Sequence, residues 1–72
     1  MAIKQINRLK VVLAEKGVKN KWLAENLGMD ESTVSQWCTN RRQPSLETLL
    51  KVSHLLSVDI RELIHSSKNV EA

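Results

Sequence analysis

Phenylalanine and tyrosine are absent from the 72 residues, and the aromatic side chains are two tryptophans. A core must therefore be built from Leu, Val and Ile. A single cysteine excludes an internal disulfide and fits a reducing cytosol. No apolar run approaches transmembrane length. The first turn mixes Lys4, Gln5, Asn7 and Arg8 with apolar residues, which is unlike a secretory leader. The expectation is a cytoplasmic protein without a membrane partner. His54 and His65 have no Cys or His at ligand spacing, so no metal site is expected. No Ser–His–Asp set, paired acids or phosphate loop can be assembled. The chain is therefore expected to be no enzyme and to use no cofactor or small-molecule ligand. Low-complexity segments and repeats are also missing.

What is present is helical. At this length one domain is expected, burying only about 60% of its unfolded surface. Ile3, Ile6, Leu9, Val12 and Leu13 recur at three and four residues and predict a helix from Ile3 to Lys16, ended by Gly17. Val18 can bridge into the next helix. A second short helix signal runs from Asn20 to Leu27, with Leu23, Ala24 and Leu27 on one face. A third runs from Glu31 to about Thr39, with Val34, Trp37 and Cys38 inward.

Between these two, Gly28 can take the left-handed backbone that stops a helix. Met29 can plug the corner, and Asp30 can cap the third helix. Asn40 suits the position after that helix, and Pro44 forbids helix through Gln43. Ser45 caps a fourth helix, Leu46 to Leu56, whose period is carried by Leu46, Leu49, Leu50, Val52, Ser53 and Leu56. Asp59 and Glu62 form a capping-box pattern before a short fifth helix, Ile60 to His65. The domain should occupy residues 1–65 and a flexible tail residues 66–72. This is a compact all-α, five-helix domain. Two helices joined by a tight Gly-containing turn form a helix-turn-helix, which places its second helix in the DNA major groove.

The segments LAENLGMDESTVSQW, NRRQPSLETLLKV and LLSVDIREL resemble the phage repressor and Cro-type helix-turn-helix family, over roughly Ile6 to Ile64. Leu23-Ala24, Gly28, Val34, Trp37, Pro44 to Leu49 and Leu63 fall in register. The resemblance implies a five-helix domain that binds operator DNA as a dimer. There are departures: the family often has Gly at Asn40, Ser or Thr at Lys19, and Gln at Asn20. It often has Arg at Leu13 and Glu at Cys38, which resemble an interhelical ion pair. Here both positions are apolar, a double change that can be neutral or stabilising, and Leu13 and Cys38 are expected to touch.

Glu31, Ser32, Ser35 and Gln36 are polar and lie off the inward face of the third helix. Gln36 can make a bidentate contact to adenine, and Glu31 can accept from cytosine N4 or simply stabilise the helix start. By the resemblance, Glu31, Ser32 and Gln36 match base-reading positions. Asn20, Thr39, Asn40, Arg41 and Arg42 are the phosphate candidates. Asn20 opens a helix where free N–H groups favour an anion, and the two arginines have no acidic sequence neighbour. The net charge of +3 and a pI near 9.4 are compatible with double-stranded DNA. Cys38 is expected to be an inert core residue.

Trp37 should face the core. Trp22 should point partly outward, either across its neighbours or against a partner. Leu55, Leu56, Val58, Ile60, Leu63 and Ile64 exceed what one small core face absorbs and are the candidate homodimer surface. The leading functional expectation is a transcriptional regulator, an operator-binding repressor. The alternative is a protein-interaction module or antitoxin-type partner-binding protein on the same fold.

Overall fold

The structure is a computed structural model and describes residues 5–68. In chain order the elements are α1 (Leu9–Lys16), α2 (Asn20–Leu27), α3 (Glu31–Cys38), α4 (Leu46–Leu56) and a 3-10 turn, Ile60–Leu63. No strand occurs among the described residues. The Asn20–Leu27 and Leu46–Leu56 boundaries match the sequence expectation. The fifth helix does not: its one turn is too short to be α-helical and stops at Leu63, with Ile64 extended. Helix 1 also starts later than its apolar period suggests. Ile3 and Lys4 lie outside the described residues, as do Asn69 to Ala72 of the expected tail.

The late start of α1 has a physical cause. Asn7 and Ile64 form an isolated antiparallel bridge. The Arg8 N–H donates to the Leu63 carbonyl at 2.8 Å, and the His65 N–H donates to the Ile6 carbonyl at 2.9 Å. These bonds hold the backbone extended where the three-and-four spacing alone predicts helix. Tertiary pairing overrides the periodicity.

All four α-helices end the same way. A left-handed residue follows the last turn, directly after α1, α2 and α4 and one position later, past Thr39, after α3, and its N–H and the next one reach back to the helix. Gly17 (φ 69°) and Gly28 (φ 67°) do so at no steric cost, whereas Asn40 (φ 60°) and Ser57 (φ 56°) carry a side chain there. Val18 N–H donates to Leu13 O, Met29 N–H to Ala24 O, Arg41 N–H to Gln36 O and Val58 N–H to Ser53 O, at 2.9 to 3.1 Å. Each bond satisfies a carbonyl that the helix leaves free. At their starts only Ser45 caps an α-helix with its side chain, accepting from Thr48 N–H at 3.1 Å. The Asp59–Glu62 capping box forms as the sequence suggests. The Arg61 side chain beside Asp59, and then its backbone N–H, hold that carboxyl below the usual carboxylate range.

The core joins Leu9, Val12 and Leu13 of α1, Leu23 and Ala24 of α2, Val34 and Trp37 of α3, Leu49, Val52 and Leu56 of α4, and Leu63. Leu9, Leu23, Val34, Val52 and Leu63 are wholly enclosed. Two residues expected on the dimer surface are thereby reassigned. Leu56 and Leu63 are 4% and 0% exposed, because the C-terminal turn folds back on α4 and α1 and closes the core itself. Leu55, Val58 and Ile60 are half-buried against that core, and Ile64 is exposed. On α4 the period covers Leu49, Val52, Ser53 and Leu56, while Leu46 and Leu50 lie on the adjoining edge and stay in solvent, Leu46 at 78%.

Substituting Ser57→Gly should raise stability by about 0.5–1 kcal/mol, because it removes a Cβ from a left-handed position. Ser45→Ala should lower it by about 1 kcal/mol, whereas Asp30→Ala, which removes no cap bond, should change it by less than about 0.5 kcal/mol. Thermal or denaturant melts of the three variants check this ordering.

Candidate nucleic-acid interface

Among the described residues, helices α2 and α3 pack on each other more extensively than any other pair of elements. The turn between them is set by Gly28 and two backbone bonds, Gly28 N–H to Glu25 O and Met29 N–H to Ala24 O. Two expectations for this corner are corrected. Met29 does not plug it; the side chain is 41% exposed, because the Leu23–Ala24–Val34–Trp37 contact already fills the space. Asp30 has the extended backbone of a cap residue, but its side chain makes no cap bond. Its carbonyl does accept from the Thr33 N–H at 3.1 Å.

Burial of Val34 and Trp37 fixes how α3 is turned. Glu31, Ser32 and Ser35 are exposed and Gln36 is half-buried. Among the described residues, none of these four side chains hydrogen-bonds elsewhere in the chain. Their donors and acceptors are therefore free for an external partner. They present a carboxylate, two hydroxyls and one carboxamide along a single eight-residue helix. That is a chemically varied face of the kind that reads base edges.

The C-terminal end of α3 gathers the other candidates. Cys38 Sγ donates to Asn20 Oδ1 at 3.4 Å, which brings the start of α2 to the end of α3. The N–H groups of Arg41 and Arg42 both donate to the Gln36 carbonyl, at 2.9 and 3.3 Å. The loop thus folds back over the last turn. Both arginine side chains are exposed, and neither pairs with an acid among the described residues. Thr39 is exposed, but its hydroxyl donates back to the Ser35 and Gln36 carbonyls at 3.2 Å.

Asn40 is a correction. Expected to face phosphate, it is 6% exposed and its carboxamide is consumed inside the protein. Oδ1 accepts from the N–H groups of Ile6 and Asn7 at 2.8 and 2.9 Å, and from Gln43 Nε2 at 3.2 Å. Nδ2 donates to Gln5 Oε1 and the Asn7 carbonyl, both at 3.2 Å. Positive φ at this residue turns the side chain inward while the loop continues outward. Asn7, absorbed into helix 1 by the periodicity, belongs to the same cluster. From one position before the N-cap residue Arg8 it ties two helix ends together: Nδ2 donates to the Trp37 carbonyl at 2.8 Å, and Oδ1 accepts from the Leu9 N–H at 3.0 Å. Asn two residues before an amphipathic run is a cap signal that could have revealed it. No such signal marks Gln43.

Cys38 is half-buried and packs against the core that contains Leu13. Burial pushes its thiol up, and the charge of Lys10 opposes that without cancelling it. No His, Cys, Asp or Glu group among the described residues is arranged to hold a metal. Trp22 is 37% exposed and borders a shallow groove with Gly17, Val18, Lys19, Lys21 and Glu25.

A helix-turn-helix family profile matches residues 9–63. The crystal structure of a candidate DNA-binding protein from Bacteroides fragilis is 58% identical, with a TM-score of 0.83. That alignment covers 83% of this chain and 97% of the other. No curated protein shows significant similarity to the chain.

The raised Cys38 thiol should react with a disulfide reagent several-fold more slowly than free cysteine at neutral pH. The rate should climb as pH rises and thiolate forms, and unfolding in urea should bring it to the free value. A folded protein that reacts as fast as free cysteine would contradict the burial.

Proposed function

The chain belongs to the Cro/C1-type helix-turn-helix family, and from that premise we propose that it binds double-stranded DNA in a sequence-specific manner and regulates transcription as an operator-binding repressor. The observation that carries the reading is the outer face of α3. Packing of Val34 and Trp37 fixes how the helix is turned, and the side chains of Glu31, Ser32, Ser35 and Gln36 stand on it without hydrogen bonds to other described residues. Such a helix fits the major groove, where base pairs display distinct donor and acceptor patterns.

Gln36 reads adenine, Ser32 and Ser35 contact bases or nearby phosphates, and Glu31 accepts from cytosine. Arg41, Arg42 and Asn20 grip the phosphates on either side, supplying affinity while the base contacts supply specificity. Thr39 joins them if its hydroxyl gives up its carbonyl partners. The domain works in the cytoplasm as a non-enzymatic homodimer, with residues 66–72 as a flexible tail. The dimer surface is the C-terminal face made by Leu55, Val58, Ile60 and Ile64. Two-fold symmetry then sets half-sites about 34 Å apart. Repression follows from occupancy, since a bound dimer obstructs polymerase.

Selection of bound sequences from a random duplex pool at physiological salt should recover an inverted repeat with half-sites one helical turn apart. Recovery of no common sequence would overturn the sequence-specific reading. On the selected operator, Gln36→Ala should remove about 1–3 kcal/mol of discrimination at one base position. Equal weakening on every sequence would count against its base-reading role. Arg41→Glu with Arg42→Glu should abolish binding at physiological salt, measured by fluorescence anisotropy.

A further inference from the structure

The cluster of Asn7, Asn40 and Gln43 ties the segment before α1 to the loop after α3, and Asn40 and Gln43 flank Arg41 and Arg42 on either side. We propose that this cluster is a positioning device for the loop: it fixes the direction in which the two arginines leave α3, and through them sets the number of phosphates the protein holds. The inference rests on the DNA-binding reading above and names the residues that control its cationic arm.

The geometry is specific. Asn40 pairs its carboxamide with the backbone N–H and carbonyl of Asn7 as a neighbouring strand would. Asn7 in turn donates to the Trp37 carbonyl and to Gln43 Oε1, both at 2.8 Å. Gln43 Nε2 returns to the Asn40 side chain and, at 3.4 Å, to its carbonyl. The ring of bonds therefore closes on both sides of Arg41 and Arg42. From within the loop, only their two N–H bonds to the Gln36 carbonyl hold them. Neither arginine has an acidic partner to orient it among the described residues. Without the cluster, the loop would be an ordinary five-residue link between α3 and Pro44, free to sample many directions. The two arginines would then not both reach phosphates in register, and the number of phosphates held would fall.

Buried side-chain N and O atoms without a partner are absent among the described residues, so the cluster is fully satisfied and has one arrangement. Such networks specify a single local structure more than they add stability.

The test uses the full chain with Asn40→Gly, which keeps the left-handed backbone and deletes the carboxamide. Gln43→Ala, which removes only the outer tie, covers the case that Asn40→Gly does not fold. The probe is a short duplex of arbitrary sequence, titrated at several salt concentrations. Replacing both arginines with alanine should lower the slope of log affinity against log salt by about two, one for each phosphate lost. A folded Asn40→Gly or Gln43→Ala variant should lose a comparable part of that slope. Adding it to the double arginine variant should change the slope no further. If the slope falls with the arginine variant and is unchanged by the cluster variants, the positioning role is overturned and the DNA-binding reading stands.

If the wild-type protein holds no duplex, the DNA-binding reading fails. The positioning role is then decided by hydrogen exchange on the free protein. The Arg41 and Arg42 amides should exchange about tenfold faster in the cluster variants while the Val52 amide is unchanged. Equal acceleration at all three amides would show general destabilisation and overturn it.

Discussion

A helix that stops leaves carbonyls without donors, and among the described residues each α-helix answers that need by turning one of the next two residues left-handed. The constraint shapes everything downstream. Helices of eight and eleven residues are too short to persist alone in water, so they must stop where the chain can turn toward a shared core. Gly17 and Gly28 make the turns at the two ends of α2's neighbourhood without steric penalty. Asn40 and Ser57 make equivalent turns with a side chain in place. Both tolerate it because the following N–H also bonds back into the helix.

At Asn40 the chain does more than turn. The side chain that the left-handed backbone directs inward meets the extended segment before α1. There it replaces the backbone partner that a second strand would have offered. One residue thereby ends the exposed helix, anchors the N-terminal segment and sets the exit of the arginine loop. A functional surface and the closure of the fold share the same few hydrogen bonds, so neither is independent of the other.

The core has a similar economy. With no phenylalanine or tyrosine, eleven buried apolar side chains enclose the interior, and the C-terminal turn is needed to complete it. Leu56 and Leu63 are consumed in that closure. The large apolar residues exposed among the described residues are spread over the chain: Ile6 on the paired N-terminal segment, Val11 on α1, Trp22 on α2, Met29 at the corner before α3, Leu46 and Leu50 on α4, and Ile64 at the end of the turn. Exposure of this kind is ordinary for a small domain, where interior volume is scarce relative to surface.

The helices, their stops and the outward face of α3 were legible in the sequence because they depend on local rules. Periods of three and four mark Leu23, Val34 and Trp37 as inward. Gly28 marks the stop, and Ser45 and Asp59 mark starts. Polar Glu31, Ser32, Ser35 and Gln36 follow by elimination, being what the inward face leaves over. Local rules could not show that Ile6 and Asn7 pair with the C-terminal segment instead of joining α1. They could not show that Asn40 faces in, or that Leu63 belongs to the core. Those outcomes depend on which groups meet across thirty or more positions of chain. Hydrogen bonds and burial at that range are decided only when the helices have packed, since periodicity carries no information about a partner so far away.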